Sequence, residues 1–331
     1  MKKLLSTLTL FIGLSPLIAQ EDSFAPVGTA LAQFLEIGLD ARAVSLGEAC
    51  TASATGAGAV FWNPAGLVDG QKYGLHSSVS NWPADITLSG LVASWNLGRA
   101  GTIALSARSL ITDDMEITTI AQPEGSGEYF AIANAAYGLT YARYLTDKVS
   151  VGITGKLISE SYGDDGYSAI AWDIGTLYRT SFRNLKFGMS ILHFSPDATF
   201  SGKYLDYSDS KSVGSNETKP FENYSLPINF RFGTSMDMMT TDTHSLIIAG
   251  DMVHSNNNLE EYNLGLEYAL SNRYYLRSGY KTVTDAGGLT LGLGIVHRFA
   301  NTLLLSIDYA FRDLGPLTSS SQFSLNLSFA Q

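Results

Sequence analysis

The chain has 331 residues, 45% of them hydrophobic and 32 of them glycine, but only 16% are charged, where about 25% is usual for soluble proteins. This composition excludes collagen and a disordered acidic chain, and the single cysteine, Cys50, excludes a disulfide-stapled small domain. The net charge of −10 argues against nucleic acid as a partner, because binding to phosphates needs a basic surface. The class that remains is an all-β protein whose surface is not charged everywhere.

The first 20 residues have the layout of a secretory signal peptide. Lys2 and Lys3 precede an apolar run from Leu4 to Leu14, and a small residue, Ala19, lies at the expected cleavage point. The apolar run is shorter than the ~20 residues that a membrane-spanning helix needs. We therefore predict that residues 1–20 are removed and that the mature chain is exported to the bacterial outer membrane.

Residues 21–70 lack the period of a strand and are predicted to form a small, partly helical plug, called the hatch below. Residues 40–52 are rich in alanine and predict a short helix with Asp40 as its N-cap. For Asn63 and Pro64 we favour a structural role in the hatch over direct contact with a substrate; the simpler alternative is a turn, because proline interrupts a helix. Since the first strand starts on the periplasmic side, the hatch is expected to begin on that side as well.

Residues 71–331 contain fourteen segments in which apolar and polar residues alternate with a period of two. The approximate segments are 72–80, 85–97, 101–111, 129–144, 148–161, 167–180, 185–194, 226–237, 243–254, 260–270, 273–283, 287–299, 302–313 and 321–330. The number is even, and many segments reach the ~10 residues that a tilted membrane-crossing strand requires. The sequence therefore predicts an all-β fold, a transmembrane antiparallel β-barrel of about fourteen strands.

The connections between these segments alternate in length. Six tight links, such as 98–100 and 271–272, alternate with connections that include the long polar stretches 112–128 and 195–225. Short periplasmic turns and longer outer loops are typical of an outer-membrane barrel. A secreted β-sandwich is the alternative, but its polar face meets bulk water and usually carries more lysine and glutamate.

The predicted inward faces of the strands carry more cations than acids. The cations are Arg108, Lys156, Arg179, Lys186, Arg231, Arg277, Lys281 and Arg312, and the acids are Asp173, Glu267 and Asp308. One interpretation is a lumen that attracts an anionic head group. The other is electrostatic docking of the hatch, whose charged residues are Glu21, Asp22, Glu36, Asp40, Glu48 and Asp69 against Arg42 alone. We favour docking, because buried charges need partners.

Several N-terminal motifs resemble the PorV/PorQ family of outer-membrane barrels, which is related to the FadL fatty-acid transporters. The motifs are Phe34-Leu35-Glu36-Ile37-Gly38, Asp40-Ala41-Arg42-Ala43, Leu46-Gly47-Glu48-Ala49 and Trp62-Asn63-Pro64-Ala65-Gly66-Leu67. The resemblance implies a FadL-like barrel with an N-terminal hatch, in which Trp62 to Gly66 form the hatch motif and Asp40, Arg42 and Glu48 form a hatch helix and its contacts. Its best-known members serve type IX protein secretion.

Two functional hypotheses follow. The first is a non-enzymatic accessory of protein export, which binds secreted cargo or proteins of the translocon or attachment complex. The second is FadL-like passive transport of a hydrophobic solute, and a purely structural role is a third possibility. The five histidines are scattered and form no metal-binding or catalytic spacing. We therefore expect no enzyme activity, no cofactor and no metal site, and outer-membrane lipid as a partner in every case.

Overall fold

The computed structural model describes residues 27–163, 165–205, 218–282, 287–299 and 302–329. The predicted signal peptide and two of the predicted hatch acids, Glu21 and Asp22, lie outside the described residues. Among the described residues, no helix is long and apolar enough to span a membrane.

Fourteen antiparallel strands form a closed barrel, as the sequence predicts. The strands are β1 (Tyr73–Trp82), β2 (Ile86–Asn96), β3 (Thr102–Ile111), β4 (Ile132–Tyr144), β5 (Val149–Tyr162), β6 (Asp165–Arg179), β7 (Lys186–Phe194), β8 (Asn229–Thr240), β9 (His244–Ser255), β10 (Glu261–Leu270), β11 (Tyr274–Lys281), β12 (Leu289–Phe299), β13 (Leu303–Asp313) and β14 (Ser319–Phe329). The barrel closes where β1 pairs with β14, with Tyr73 opposite Phe329. Closure leaves the sheet no free edge.

The two faces of the barrel wall differ in polarity. In β12, Leu293 and Ile295 point outward and are more than half exposed, whereas Thr290 points inward and is fully buried. The same alternation gives most strands an outer row of leucine, isoleucine and aromatic side chains. An apolar exterior around a polar interior is the arrangement expected for a barrel in a lipid bilayer.

The two rims of the barrel are unequal. One rim, called the short-turn rim, holds the tight connections, the start of β1 and the end of β14. The opposite long-loop rim holds two long connections that carry three small two-stranded sheets. These sheets pair Met115–Glu116 with Tyr129–Phe130, Ala198–Thr199 with Asn223–Tyr224, and Lys203–Leu205 with Thr218–Pro220.

The hatch contains one short α-helix and several turns of 3-10 helix. Helix α1 spans Ala41–Ser45, with Asp40 as its N-cap as predicted; Gly47 and Glu48 then adopt positive φ, which ends the helix. Pro64 begins a 3-10 helix, Pro64–Asp69. Proline suits this first position because its φ is already helical and its missing N–H is not needed there. The other 3-10 helices of the hatch are Gln33–Leu35 and Ala57–Phe61.

The hatch runs through the lumen from one rim to the other. Near its start, the Leu31 N–H donates to the Ser225 carbonyl in the long-loop rim at 2.9 Å. At its end, Asp69 forms a salt bridge of 2.6 Å with Arg179 near the short-turn rim. The described part of the hatch therefore begins at the long-loop rim and not, as expected, at the rim where β1 starts, and the chain crosses the whole barrel before it enters β1.

Candidate functional site

The Asn63 side chain connects two parts of the hatch to the barrel wall. It is fully buried, and its amide donates to the Thr51 carbonyl at 2.8 Å and to the Thr176 carbonyl of β6 at 3.0 Å. Its own carbonyl accepts the Ala65 N–H at 3.1 Å, which caps the 3-10 helix. Both the amide nitrogen and the carbonyl oxygen of the Asn63 side chain bind groups of the protein, so Asn63 holds the hatch in place.

Trp62 and Gly66, the first and last residues of the hatch motif, also contact other parts of the protein. The Trp62 indole N–H donates to the Leu39 carbonyl at 2.7 Å, and the Arg231 guanidinium lies 5.0 Å from the centre of its ring. A Cβ added to Gly66 would lie 2.2 Å from the Ala54 carbonyl oxygen. The motif predicted from the sequence is thus a packing unit within the hatch and against the wall.

Wall glycines let the hatch backbone approach the strands closely. A Cβ at Gly152 of β5 would lie 2.4 Å from the Pro64 carbonyl carbon, and one at Gly279 of β11 would lie 2.0 Å from the Gly47 nitrogen. Any side chain at these positions would displace the hatch, since real Cβ atoms do not come so near to backbone. Small residues on the strands therefore create the surface on which the hatch is seated.

Glu48 is the acidic anchor of the hatch. It accepts from Lys281 Nζ at 2.9 Å and from Arg312 Nη2 at 2.5 Å, while its backbone carbonyl accepts from Arg231 at 2.7 Å. Burial alone would raise the pKa of this carboxyl, but the cations of Lys281, Arg312 and Arg231 outweigh it and lower the pKa to about 2. Glu48 is therefore ionised and paired at neutral pH.

Arg42 is the cationic anchor of the hatch. Its guanidinium binds Glu267 of β10 with two hydrogen bonds, at 2.8 and 3.0 Å. Glu267 also binds Arg277 of β11 at 2.6 Å, and Arg277 in turn binds Asp308 of β13 at 2.6 Å. Four charged residues that the sequence analysis selected thus form one buried network that joins the hatch to three strands.

The remaining hatch acids behave differently from Glu48. Glu36 contacts neutral groups, the side chains of Asn257, Asn229 and Ser255, at 3.2 to 3.4 Å. Asp40 accepts from the Arg42 backbone N–H. Burial raises the pKa of both carboxyls. Docking onto lumen cations therefore applies to Glu48 and Asp69, whereas Glu36 and Asp40 are held by hydrogen bonds from uncharged groups.

Lys156 and Asp173 form a pair within the barrel wall, away from the hatch acids. Lys156 Nζ lies 2.6 Å from Asp173 Oδ2 and 3.0 Å from His193 Nδ1, and Asp173 Oδ1 accepts the His193 N–H at 2.8 Å. The register of β6 and β7 shifts between Trp172 and Ile174, where His193 has φ +62°. This bulge turns both Leu192 and His193 inward, which strict alternation would not do.

Two inward acids escaped the sequence analysis. Asp251 of β9 accepts from the Cys50 N–H, the Thr51 N–H and the Thr51 hydroxyl at 2.6 to 3.1 Å, and it pairs with Arg231 at 3.5 Å. Glu160 of β5 accepts the Ala32 N–H at 3.1 Å. Asp251 lies in a segment with apolar residues on both faces, so its direction was not evident. The lumen is therefore less positive than the sequence tally indicated.

The upper lumen, near the long-loop rim, contains an apolar cluster. Here the hatch residues 30–39, called the upper segment, bury Phe34, Leu35 and Leu39 against the wall. The wall side chains in this cluster include Leu88, Leu110, Ala136, Ile158 and Ala171. Arg108 donates to the Leu35 carbonyl at 2.5 Å and to the Ile37 carbonyl at 3.2 Å. The upper segment is thus held by apolar contacts and by a few hydrogen bonds.

The lower lumen contains a polar cavity of about 380 Å³. It reaches from Asp69 and Gln71 at the short-turn rim to the network of Arg42, Glu267 and Asp308. Among the described residues, no group of three or more His, Cys, Asp or Glu side chains is placed to hold a metal ion. On the hatch side the cavity is lined by Asp40, Arg42 and residues 55–58.

No protein-family model and no curated protein sequence matches this chain. Solved structures do match. The monoaromatic hydrocarbon channel CymD is 14% identical, with a TM-score of 0.54 over 88% of this chain and 97% of its own. The toluene transporter TodX of Pseudomonas putida is 13% identical, with a TM-score of 0.51 over 84% and 94%. A FadL homologue of Pseudomonas aeruginosa is 10% identical, with a TM-score of 0.52 over 88% and 98%. The chain therefore has the fold of FadL-like outer-membrane barrels, and these comparisons do not support the PorV/PorQ assignment.

Proposed function

We propose that this protein is a passive outer-membrane transporter of small apolar molecules. The observation that carries the proposal is the apolar cluster of the upper lumen, where Leu88, Leu110 and Ile158 face inward and pack against the hatch. The upper segment covers this surface with Phe34 and Leu35. The names of the structurally similar proteins, a hydrocarbon channel and a toluene transporter, agree with such a solute.

The hatch has an upper part, whose apolar contacts with the wall a solute can replace, and a lower part that is fixed to the wall. An apolar solute that enters from the long-loop rim would replace the contacts of Phe34 and Leu35, and this exchange leaves the total buried apolar area nearly unchanged. The lower part of the hatch is held by charge pairs of Glu48 and Arg42 and by backbone packing on Gly152 and Gly279. We infer that the upper segment yields to the solute while the lower hatch stays seated.

The rest of the assignment follows the sequence analysis. We propose a signal peptide at 1–20, a hatch at 21–70 and an outer-membrane barrel at 71–331, without enzyme activity or cofactor. The alternative, a platform for protein export with secreted cargo as its partner, rests on the resemblance to the PorV/PorQ family alone. The similar solved structures carry the names of small-molecule channels and transporters, so they favour the transporter.

Uptake by whole cells tests this proposal. Cells that carry the protein in their outer membrane should take up radiolabelled toluene several-fold faster than cells without it, while uptake of radiolabelled glucose should be the same. Equal toluene uptake by the two kinds of cell would overturn the transporter assignment.

A reversible lock tests the part played by the upper segment. Leu31→Cys with Ser225→Cys, in a Cys50→Ala background, would join two residues whose backbones are already hydrogen-bonded. Oxidation should suppress toluene uptake, and a reductant should restore it. The single variant Leu31→Cys in the same background is the control and should respond to neither treatment. Unchanged uptake in the oxidised double variant would show that the upper segment does not gate the solute.

A further inference from the structure

Exposed cations surround the short-turn rim. Six of them, called the basic collar, are distributed over the turns and strand ends of this rim: Arg99, Arg143, Lys148, Arg183, Arg273 and Arg298. Arg99 follows β2, Lys148 precedes β5, Arg183 lies between β6 and β7, and Arg273 lies between β10 and β11. The collar therefore extends around most of the circumference and is not confined to one patch.

The collar has few acidic neighbours. Asp147 and Asp242 are the exposed acids among the described residues of this rim, and Asp69 and Asp237 are partly buried. Among the described residues, no carboxylate forms a salt bridge with any of the six collar cations. The long-loop rim has the opposite character, with exposed acids such as Asp113, Asp114 and Glu116. The molecule is thus electrically polarised along the barrel axis.

Aromatic side chains place the collar at the depth of lipid head groups. Tyr73, Trp95 and Tyr274 project outward at the short-turn rim and are each about half exposed. Tyrosine and tryptophan of membrane proteins concentrate at the boundary between hydrocarbon and head groups. Arg183 lies 5.8 Å from the centre of the Phe182 ring, so this cation lies beside an exposed aromatic side chain of the rim. Charges at this level face phosphate groups and not acyl chains.

We propose that the basic collar binds the head groups of anionic phospholipids in the leaflet that surrounds the short-turn rim. Five of the six collar residues are arginines, whose planar guanidinium groups match phosphate oxygens with two parallel hydrogen bonds. Each cation near an anionic lipid surface favours binding by about fivefold before screening by salt. Because short turns face the periplasm in outer-membrane barrels, this leaflet is the inner one. The collar fixes the axial orientation and depth of the barrel, whatever solute it carries.

Lipid selectivity measured on the full-length protein tests the collar. The protein is reconstituted into phosphatidylcholine vesicles that contain a trace of spin-labelled phosphatidylglycerol or spin-labelled phosphatidylcholine, and the immobilised fraction is read by electron spin resonance. We expect the wild type to immobilise phosphatidylglycerol at least about threefold more than phosphatidylcholine at low salt, and the ratio to fall at high salt. A ratio near one for the wild type would overturn the proposal.

Matched variants separate the collar from a general charge effect. Arg99→Gln, Arg143→Gln, Arg183→Gln and Arg273→Gln together should bring the ratio close to one. Asp147→Asn with Asp242→Asn, on the same rim, should raise it. Lys203→Gln with Lys219→Gln, on the long-loop rim, should leave it unchanged. Circular dichroism confirms that each variant is folded; an unaltered ratio in a folded fourfold variant would contradict the proposal, as would selectivity that depends on the long-loop lysines.

Discussion

Glu48 belongs to the hatch, but the groups that bind it belong to three different strands of the barrel. Lys281 is at the end of β11, Arg312 is in β13, and Arg231 in β8 reaches its backbone carbonyl. A buried carboxylate with this many cationic neighbours is stable only as long as the whole set is present. The hatch is therefore fastened at this point by a cluster and not by a single pair.

Glu48→Gln should loosen the hatch without unfolding the barrel. The substitution leaves Arg312 buried without its anion and leaves Lys281 with Glu261 alone, at 3.3 Å, and removal of one partner of a buried pair costs roughly 3–5 kcal/mol. The measurement is tryptic cleavage after Arg42, identified by fragment mass, as a function of urea concentration. We expect cleavage at clearly lower urea in the variant. Glu260→Gln, which removes an exposed carboxylate next to His254, is the control and should behave as the wild type.

The contribution of Glu48 should also depend on pH in a defined direction. The pKa of the folded state, about 2, lies below the ordinary value of 4.5. The stabilisation is therefore complete above about pH 4.5 and is lost as the pH falls towards 2. Hydrogen exchange of hatch amides, compared between wild type and Glu48→Gln at the same pH, should show a constant difference above that range and a shrinking one below it. A difference that grows on acidification would contradict this assignment.

At the scale of elements, the strands were easier to predict from the sequence than the hatch. A strand with one face in lipid must alternate, so the period of two in segments such as 302–313 was sufficient to locate β13 and its neighbours. The hatch has no such constraint, because its surroundings are other parts of the protein on every side. Helix α1 covers only part of the alanine-rich segment 40–52, since the chain turns at Gly47 and Glu48, where Gly47 lies against β11.

Gly279→Ala tests the close seating of the hatch on β11. A Cβ at this position would lie 2.0 Å from the Gly47 nitrogen, so the hatch must move away from the strand. We expect cleavage after Arg42 at lower urea than in the wild type, while the β-sheet signal in circular dichroism is retained. Gly250→Ala in β9 is the matched control, because its Cβ would meet only ordinary contacts, 3.5 Å or more away. Equal effects of the two substitutions would indicate a general strand effect and not hatch displacement.

At the scale of the whole molecule, the described hatch packs against the barrel wall in both the upper and the lower part of the lumen. In a planar bilayer the wild type should therefore show no steady ion conductance. Urea should open a reversible conductance before the barrel unfolds, because local opening of the hatch costs less free energy than separation of the paired strands. The Gly279→Ala variant should open at lower urea. A large conductance of the wild type in the absence of urea would refute the closed lumen.

The overall architecture was more predictable than the internal contacts. Successive residues of a strand point alternately to the exterior and the interior of the barrel. This alternation predicted the barrel and the inward position of Arg277 and Asp308 from the sequence alone. The partners of these charges were not accessible, because pairs such as Arg42 with Glu267 join residues more than 200 positions apart. The bulge at His193 was missed for a related reason, since it depends on the position of Asp173 in the neighbouring strand.

The route of the hatch restricts the order in which the molecule is assembled. The upper segment reaches the long-loop rim, yet the chain continues into β1 at the short-turn rim, and β1 is sealed against β14. If the barrel closed first, the hatch would have to be inserted afterwards along the whole lumen. The charged side chains of that lumen would lack their partners until then. Folding is simpler if the hatch first contacts the inward faces of the strands. The barrel then closes around it when β1 pairs with β14.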